Sequence, residues 1–241
     1  LVGSEMCIRD RAGGIAIGAD GNKSLVAIGD RATITGHSYG GSVAVISNAD
    51  GGRIEIGDYA TIIHRNDDKS SSNINGMAVM SRTTDGYIKI GNNSTIATSA
   101  AGALGSSNHN GNHAVSAGFT SNGNTYAGKI IIGDSANIST QMAGSHAVRS
   151  VHADSSIEIG DYAIISTAGN NSSAVRVGEI DAARNLLISG GVINIGTGAL
   201  ITTEGDAAYG LEARYANSVL NISDVTLVTE GTESHLSLIH I

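Results

Sequence analysis

Apolar residues recur along this chain with a period of two, in short runs rich in Ile and Val that end in Gly, Asp or Asn. Period two with β-branched residues predicts strands, and no stretch carries the i, i+3, i+4 spacing of an amphipathic helix. One run dominates, with the form I-x-I-G-D-x-A-x-I. It appears as VAIGDRATI (26 to 34), IEIGDYATI (54 to 62), IKIGNNSTI (88 to 96), IIIGDSANI (130 to 138), IEIGDYAII (157 to 165), INIGTGALI (193 to 201) and LNISDVTLV (220 to 228). Its central residues are Gly29, Gly57, Gly91, Gly133, Gly160, Gly196 and Ser223, spaced by 28, 34, 42, 27, 36 and 27 positions. A unit repeated at such periods is one layer of a stacked array.

A second run lies at a fixed offset from the first. In five units an apolar residue following Ala or Gly precedes the central position by 12: Ile17 to Gly29, Val45 to Gly57, Val79 to Gly91, Val148 to Gly160 and Leu211 to Ser223. The offset grows to 18 between Val115 and Gly133 and to 21 between Val175 and Gly196, where SNGNTYAG and EIDAARN read as loops. Polar segments after Ile62 and Ile96 lengthen two further units and also read as loops. Each unit therefore holds three short strands. Such strands are unstable alone, but units stacked at about 4.8 Å pair every backbone N–H and C=O with the unit above or below.

The expected fold is all-β: a right-handed parallel β-helix of about seven three-strand coils over residues 12–235, forming a rod about 34 Å long. The right hand follows from coil lengths of 27 to 42, which a strictly regular left-handed helix would not tolerate. Three interior ladders follow. The first holds Ile28, Ile56, Ile90, Ile132, Ile159, Ile195 and Ile222; the second Ile34, Ile62, Ile96, Ile138, Ile165, Ile201 and Val228; the third Ile17, Val45, Val79, Val115, Val148, Val175 and Leu211. Between the first-ladder isoleucines stand Ala27, Glu55, Lys89, Ile131, Glu158, Asn194 and Asn221, an outward face on which Glu55 and Lys89 would be neighbours. Small residues at Ala32, Ala60, Ser94, Ala136, Ala163, Ala199 and Thr226 mark a tight corner. The chain has no Pro, as strands that must donate every N–H require.

Composition changes this picture little. With 33 Gly, no Trp and one Phe in 241 residues, the chain lacks the aromatic anchors of ordinary globular domains. A net charge of −8 disfavours nucleic acid or an anionic membrane as partner. No apolar run reaches the roughly 18 residues of a membrane span, so no direct membrane insertion is expected of this stretch. The ends, 1–11 and 236–241, match nothing between them and are expected to be non-native. Met6, Cys7, Ile8, Arg9 and Asp10 translate the sequencing-adapter stretch agatgtgtataagagacag, and Leu236 to Ile241 translate its reverse complement. On that reading the single cysteine, Cys7, is foreign and neither terminus is natural.

Candidate chemistry gathers in columns. Asp30, Asp58, Asn92, Asp134, Asp161 and Asp224 follow the central position and would form an acidic ladder. Each is expected to cap N–H groups of its own turn as an Asx-turn; shared calcium is the competing reading, without the G-G-x-G-x-D repeat of calcium-binding β-rolls. His113 and His146 align in adjacent coils but lack a third zinc ligand, so surface or half-buried packing is expected. Arg149, Arg176 and Glu212 also align and read as a solvated charge ladder. Asp67 and Asp68 lie in a loop, and Gly36, His37 and Ser38 make neither a nucleophile elbow nor a triad. Tyr59 and Tyr162 share a column but are separated by other coils, a weak stacking platform for sugar or single-stranded nucleic acid. No catalytic residue, cofactor site or metal site is expected, and the chain reads as a structural and binding module rather than an enzyme.

Across 12–235, the repeated IxIGDxAxI motifs and the Gly, Asn and Ser loops resemble the passenger domains of bacterial autotransporters, the pertactin-like and adhesin-like β-helices secreted through an outer-membrane barrel. IAIGADGNKSLVAIGD (15 to 30) also resembles the heads of trimeric autotransporter adhesins, whose repeats are shorter and more regular. The first resemblance implies a rod on the cell surface or outside the cell, anchored through a C-terminal barrel not contained in this sequence. It implies adhesion to host or bacterial surface glycans or proteins, or self-association. The alternative is a β-helical enzyme or phage tailspike acting on polysaccharide.

Overall fold

The computed structural model describes residues 7–9, 14–38, 42–66, 76–83, 85–100, 112–121, 124–181, 186–188, 190–215 and 217–239. These residues contain strands and turns and no helix. The chain winds as a right-handed parallel β-helix of about seven coils, each contributing one strand to each of three parallel sheets.

The first sheet stacks Cys7–Arg9, Thr33–Ser38, Thr61–Asn66, Thr95–Ala100, Asn137–Thr140, Ile164–Thr167, Leu200–Thr203 and Thr226–Thr229 in that order. The second stacks Ile15–Ala19, Val43–Ser47, Met77–Ser81, Val115–Ala117, Val148–Ser150, Ser173–Val177, Tyr209–Ala213 and His235–Ile239. The third stacks Leu25–Ile28, Arg53–Ile56, Tyr87–Ile90, Lys129–Ile132, Ser156–Ile159, Val192–Ile195 and Val219–Ile222. Strands therefore pair beyond both ends of 12–235. Cys7–Arg9 lies beside Thr33–Thr35, and His235–Ile239 beside Tyr209–Ala213.

The first and third ladders form as expected, and the second forms from Ile34 to Ile201. Ile54, Ile88 and Ile130 pair in register, as do Ile56 with Ile90 and Ile34 with Ile62 and Ile96. The second ladder is fully enclosed from Ile34 to Ile201, and the first isoleucine of each motif, Ile54, Ile88, Ile130, Ile157 and Ile193, forms a fourth buried column. Stacking like side chains at one coil spacing lets each coil repeat the packing of its neighbour.

The seventh coil departs from the expected register. Leu227, not Val228, lies over Ile201, and Thr226 lies over Leu200, which leaves Val225 to follow Ala199. The cause is length: four residues separate Ile222 from Leu227, where five separate Ile195 from Ile201. Val228 accordingly faces outward and is exposed.

The two insertions expected as loops are antiparallel hairpins. Phe119–Ser121 pairs with Asn124–Tyr126, and Glu179–Asp181 with Leu186–Ile188. In the first, Asn122-Gly123 is the dipeptide that two-residue hairpins favour. Both leave the coil at a glycine with positive φ, Gly118 or Gly178, and return through Gly128 or Gly190. The neck needs glycine: a Cβ on Gly128 would stand 2.7 Å from the Gly118 nitrogen, and one on Gly190 1.9 Å from that of Gly178. The long polar segments after Ile62 and Ile96 fall mostly outside the described residues.

The G-D pair of the motif is explained by contacts between coils. Asp30 Oδ1 accepts the Asp58 N–H at 2.9 Å, Asp58 the Asn92 N–H at 2.7 Å, Asn92 the Asp134 N–H at 2.8 Å and Asp134 the Asp161 N–H at 2.9 Å; Asp161 ends the series at the Thr197 N–H, 2.8 Å away. These side chains thus cap the turn of the following coil, not their own as expected. The accepting oxygen sits where the next coil's glycine would carry a Cβ, 2.2 Å from that position at Gly57 and 2.3 Å at Gly133. The capping oxygen and the backbone of the same coil, whose Asp30 nitrogen would stand 2.7 Å from a Cβ on Gly57, together demand glycine in the next coil. Where Thr197 replaces the aspartate, Ser223 replaces the glycine.

This dependence gives a double-mutant test. Asn92→Ala should cost about 1 kcal/mol by removing the cap, and Gly133→Ala should cost a similar amount or more by crowding it. Together they should cost less than their sum by about 1 kcal/mol, measured by urea unfolding. Strict additivity would mean that the two positions do not compete for one space.

Candidate functional site

In an isolated solenoid the outer face of each sheet meets water. The second sheet departs from this, because Ala and Val in the AV pairs Ala44-Val45, Ala78-Val79, Ala114-Val115, Ala147-Val148 and Ala174-Val175 both enter the core, and the residues on either side are also buried, or half-buried at Val43 and Arg176. Two outward columns result. One runs through Val43, Met77, His113, His146, Ser173 and Tyr209; the other through Ile46, Met80, Ser116, Arg149, Arg176 and Glu212. At the N-terminal end the face is apolar. Ile46, Met77 and Met80 cluster with Val43 and Phe119, the first residue of the first hairpin, and the Arg82 guanidinium lies 5.7 Å from the Phe119 ring centroid.

Further along, the same face becomes charged. His113 and His146 stack with centroids 5.1 Å apart and planes within 7°, each burying a ring expected at or near the surface. Their Nδ1 atoms accept the backbone N–H groups of His146 and Ser173 respectively, both at 2.9 Å, so each ring caps the coil that follows. Arg149, Arg176 and Glu212 do align, but they are not the solvated ladder expected: Arg149 is 6% and Glu212 1% exposed. Glu212 is held by Arg176 at 3.6 Å and by Arg214 and the Ser173 hydroxyl at close range. Arg176 also lies 2.7 Å from His146 Nε2 and donates to the Gly178 carbonyl at the hairpin neck.

The chemistry of this cluster is that of a fixed polar support. Glu212 Oε2 accepts the Ser173 hydroxyl, while Oε1 meets Arg214 as an ion pair without a hydrogen bond; a carboxylate so enclosed between guanidinium groups suits positioning. Burial, followed by the guanidinium groups of Arg149 and Arg176, holds both imidazoles well below the ordinary histidine range. Both rings are therefore neutral in the folded protein near neutral pH.

A second set of residues lines the corner between the third and first sheets. The acidic column lies there, exposed and bound to backbone as described above. Asp224 leaves that column: its φ of +50° puts it in the left-handed conformation that the residue after the aspartate adopts in other coils. A second, unforeseen capping series runs along another corner, where Asn170 accepts the Asp206 N–H at 3.0 Å and Asp206 the Thr232 N–H at 2.9 Å. Hydrogen bonds from the Thr232 hydroxyl and N–H lower the Asp206 pKa. Tyr59 and Tyr162 stand beside the acidic column, exposed by 54% and 66%. Gly36, His37 and Ser38 lie within the strand Thr33–Ser38, and Asp67 and Asp68 fall outside the described residues. Among the described residues no group of three or more His, Cys, Asp or Glu side chains is arranged to hold a metal ion.

Fold and sites together define a β-helical solenoid with one buried, polar outer face and one exposed corner of turns. No protein family, curated relative or solved structure matches the chain.

The neutral histidines set a pH dependence whose sign is fixed. The unfolded chain binds protons at these residues near pH 6.5, whereas the folded chain does not until well below it. Their contribution is therefore fully present above about pH 6.5 and lost as pH falls, with a slope of roughly 1 kcal/mol per pH unit for each histidine. His113→Met, which continues the column from Met77, should flatten the decline between pH 7 and pH 5 in urea melts. An unchanged slope would show that the rings titrate alike in both states.

Proposed function

We propose that this chain is part of a bacterial cell-surface or secreted passenger of the autotransporter kind, a rod that holds outward segments for adhesion or self-association. One observation carries the reading. Strand register persists through the first six coils while added length is diverted outward at fixed corners, into hairpins that leave and rejoin the coil at glycine necks. A scaffold that tolerates insertion without loss of register suits display, because binding segments can vary while the interior ladders do not. The net charge of −8 fits partners that are neutral or basic, such as surface glycans or proteins, better than nucleic acid or anionic lipid.

In this reading the rod lies outside the cell, anchored through a barrel beyond this sequence, and has no catalytic role.

The test uses the 241-residue chain coupled to beads. Coated beads should adhere to bacterial or epithelial cells, or to one another, above uncoated controls. Removing six residues of the first hairpin to restore the offset of 12 should reduce adherence while leaving one cooperative, β-rich unfolding transition. Adherence no greater than that of bare beads would overturn the proposal, as would release of reducing or unsaturated sugar ends from polysaccharide.

A further inference from the structure

The residue after the aspartate at each corner adopts the left-handed conformation: Arg31, Tyr59, Asn93, Ser135 and Tyr162 have φ between +55° and +59°, and Gly198 has +73°. Glycine and asparagine enter this region at little cost, whereas a bulky aromatic residue there is an outlier. Asn93 and Gly198 show that the column accepts the easier residues. Tyr59 and Tyr162 nevertheless occupy it, and they contribute no core, being 54% and 66% exposed. Left-handed non-glycine residues recur at other turns, such as Lys23, Ala207 and Glu233, but in this column the two tyrosines combine that backbone with large, exposed aromatic rings.

We infer that this corner is a binding strip for neutral oligosaccharide chains, with Tyr59 and Tyr162 as its stacking platforms. The inference rests on the adhesive reading above and names the ligand class for this surface. The Arg31 guanidinium lies 5.8 Å from the Tyr59 ring centroid. Tyr162 leans over the next coil, so that a Cβ on Gly198 would meet its Cδ1 at 2.8 Å. Each ring thus meets one neighbouring coil and stays more than half exposed, which leaves aromatic surface for the apolar side of a pyranose. Gly198 supplies the space that Tyr162 needs.

The dimensions select a chain over a single sugar. Tyr59 and Tyr162 are three coils apart, a distance of about 14 Å at the strand spacing. Asn93 and Ser135, both exposed, lie between them and offer hydrogen-bonding groups to sugar hydroxyls. Charge selects neutral over acidic polymers. Asp58, Asp134 and Asp161 run alongside, one residue before the left-handed position; they accept hydroxyl donors and repel uronates or sulfates.

The test is affinity electrophoresis of the whole chain in gels containing neutral glucan, mannan or galactan, with a polyuronate gel for comparison. At least one neutral polymer should retard the chain, and its oligosaccharides should compete where its monosaccharide does not. Tyr59→Asn and Tyr162→Gly, residues taken from the same column, should each weaken retardation about tenfold. Both variants should melt at the same or a higher temperature, the reverse of what a structural role would give. The inference fails if no neutral polymer retards the chain, if the polyuronate retards it more, if the variants bind like the parent, or if they melt lower. The bead assay separates the two readings. Doubly substituted chain that adheres to cells undiminished overturns the strip but leaves the adhesive reading, whereas parent chain that never adheres overturns the adhesive reading whatever the gels show.

Discussion

Every feature of this molecule depends on the pairing of each coil's backbone with the coil before and after it. The hydrogen bonds run along the rod axis, so a residue's neighbours in space are its equivalents one coil away, such as Ile96 between Ile62 and Ile138. Two consequences follow. The core becomes a set of one-residue columns, and a change at one position is felt chiefly by the same position in adjacent coils. Stability is then close to a sum of nearest-neighbour terms, as in other solenoids.

The corners show how far this logic extends. A turn exposes N–H groups that no strand can pair, and at the third-to-first corner each is accepted by a side chain or carbonyl of an adjacent coil. Asp58 illustrates this: its N–H goes to Asp30 Oδ1, its Oδ1 takes the Asn92 N–H, and its carbonyl takes the Arg31 N–H. The buried histidines repeat the device on the second sheet, with Nδ1 of His113 and His146 in the place of an Asp oxygen. Capping between coils is thus general to this fold, and it couples neighbouring sequences as tightly as core packing does.

That coupling decides what could be read from the residues alone. Period-two runs, constant offsets and aligned isoleucines determined the sheets and three ladders, because each is a property of one coil repeated. The target of the Asp oxygens was not legible in the same way, since an Asx-turn and an inter-coil cap use the same residue in the same motif. The signal that separates them lies in the next coil, where Gly57 follows Asp30 and Ser223 follows Thr197. The register slip at Leu227 was countable, a turn one residue short, but the motif's apolar ending at Val228 concealed it. The burial of Arg149 and Glu212 was hidden more deeply. A charged residue facing outward from a strand normally meets water, and only the AV pairs, which turn two successive residues inward, and the hairpin beginning at Phe119 hint that this face is covered.

The same coupling also identifies where the sequence is free. An interior isoleucine is held by its column, an aspartate by the glycine that follows, and the hairpin necks by glycines that approach within van der Waals contact. The left-handed corner position is held by none of these. Its side chain caps no neighbouring turn and fills no core, and the column runs through Arg31, Tyr59, Asn93, Ser135, Tyr162 and Gly198 without a common chemistry. The backbone at this position favours glycine or asparagine, and the side chains follow that preference only at Asn93 and Gly198. Folding is thus written on the inward and capping positions, and the proposed strip draws on the line of residues that neither set constrains.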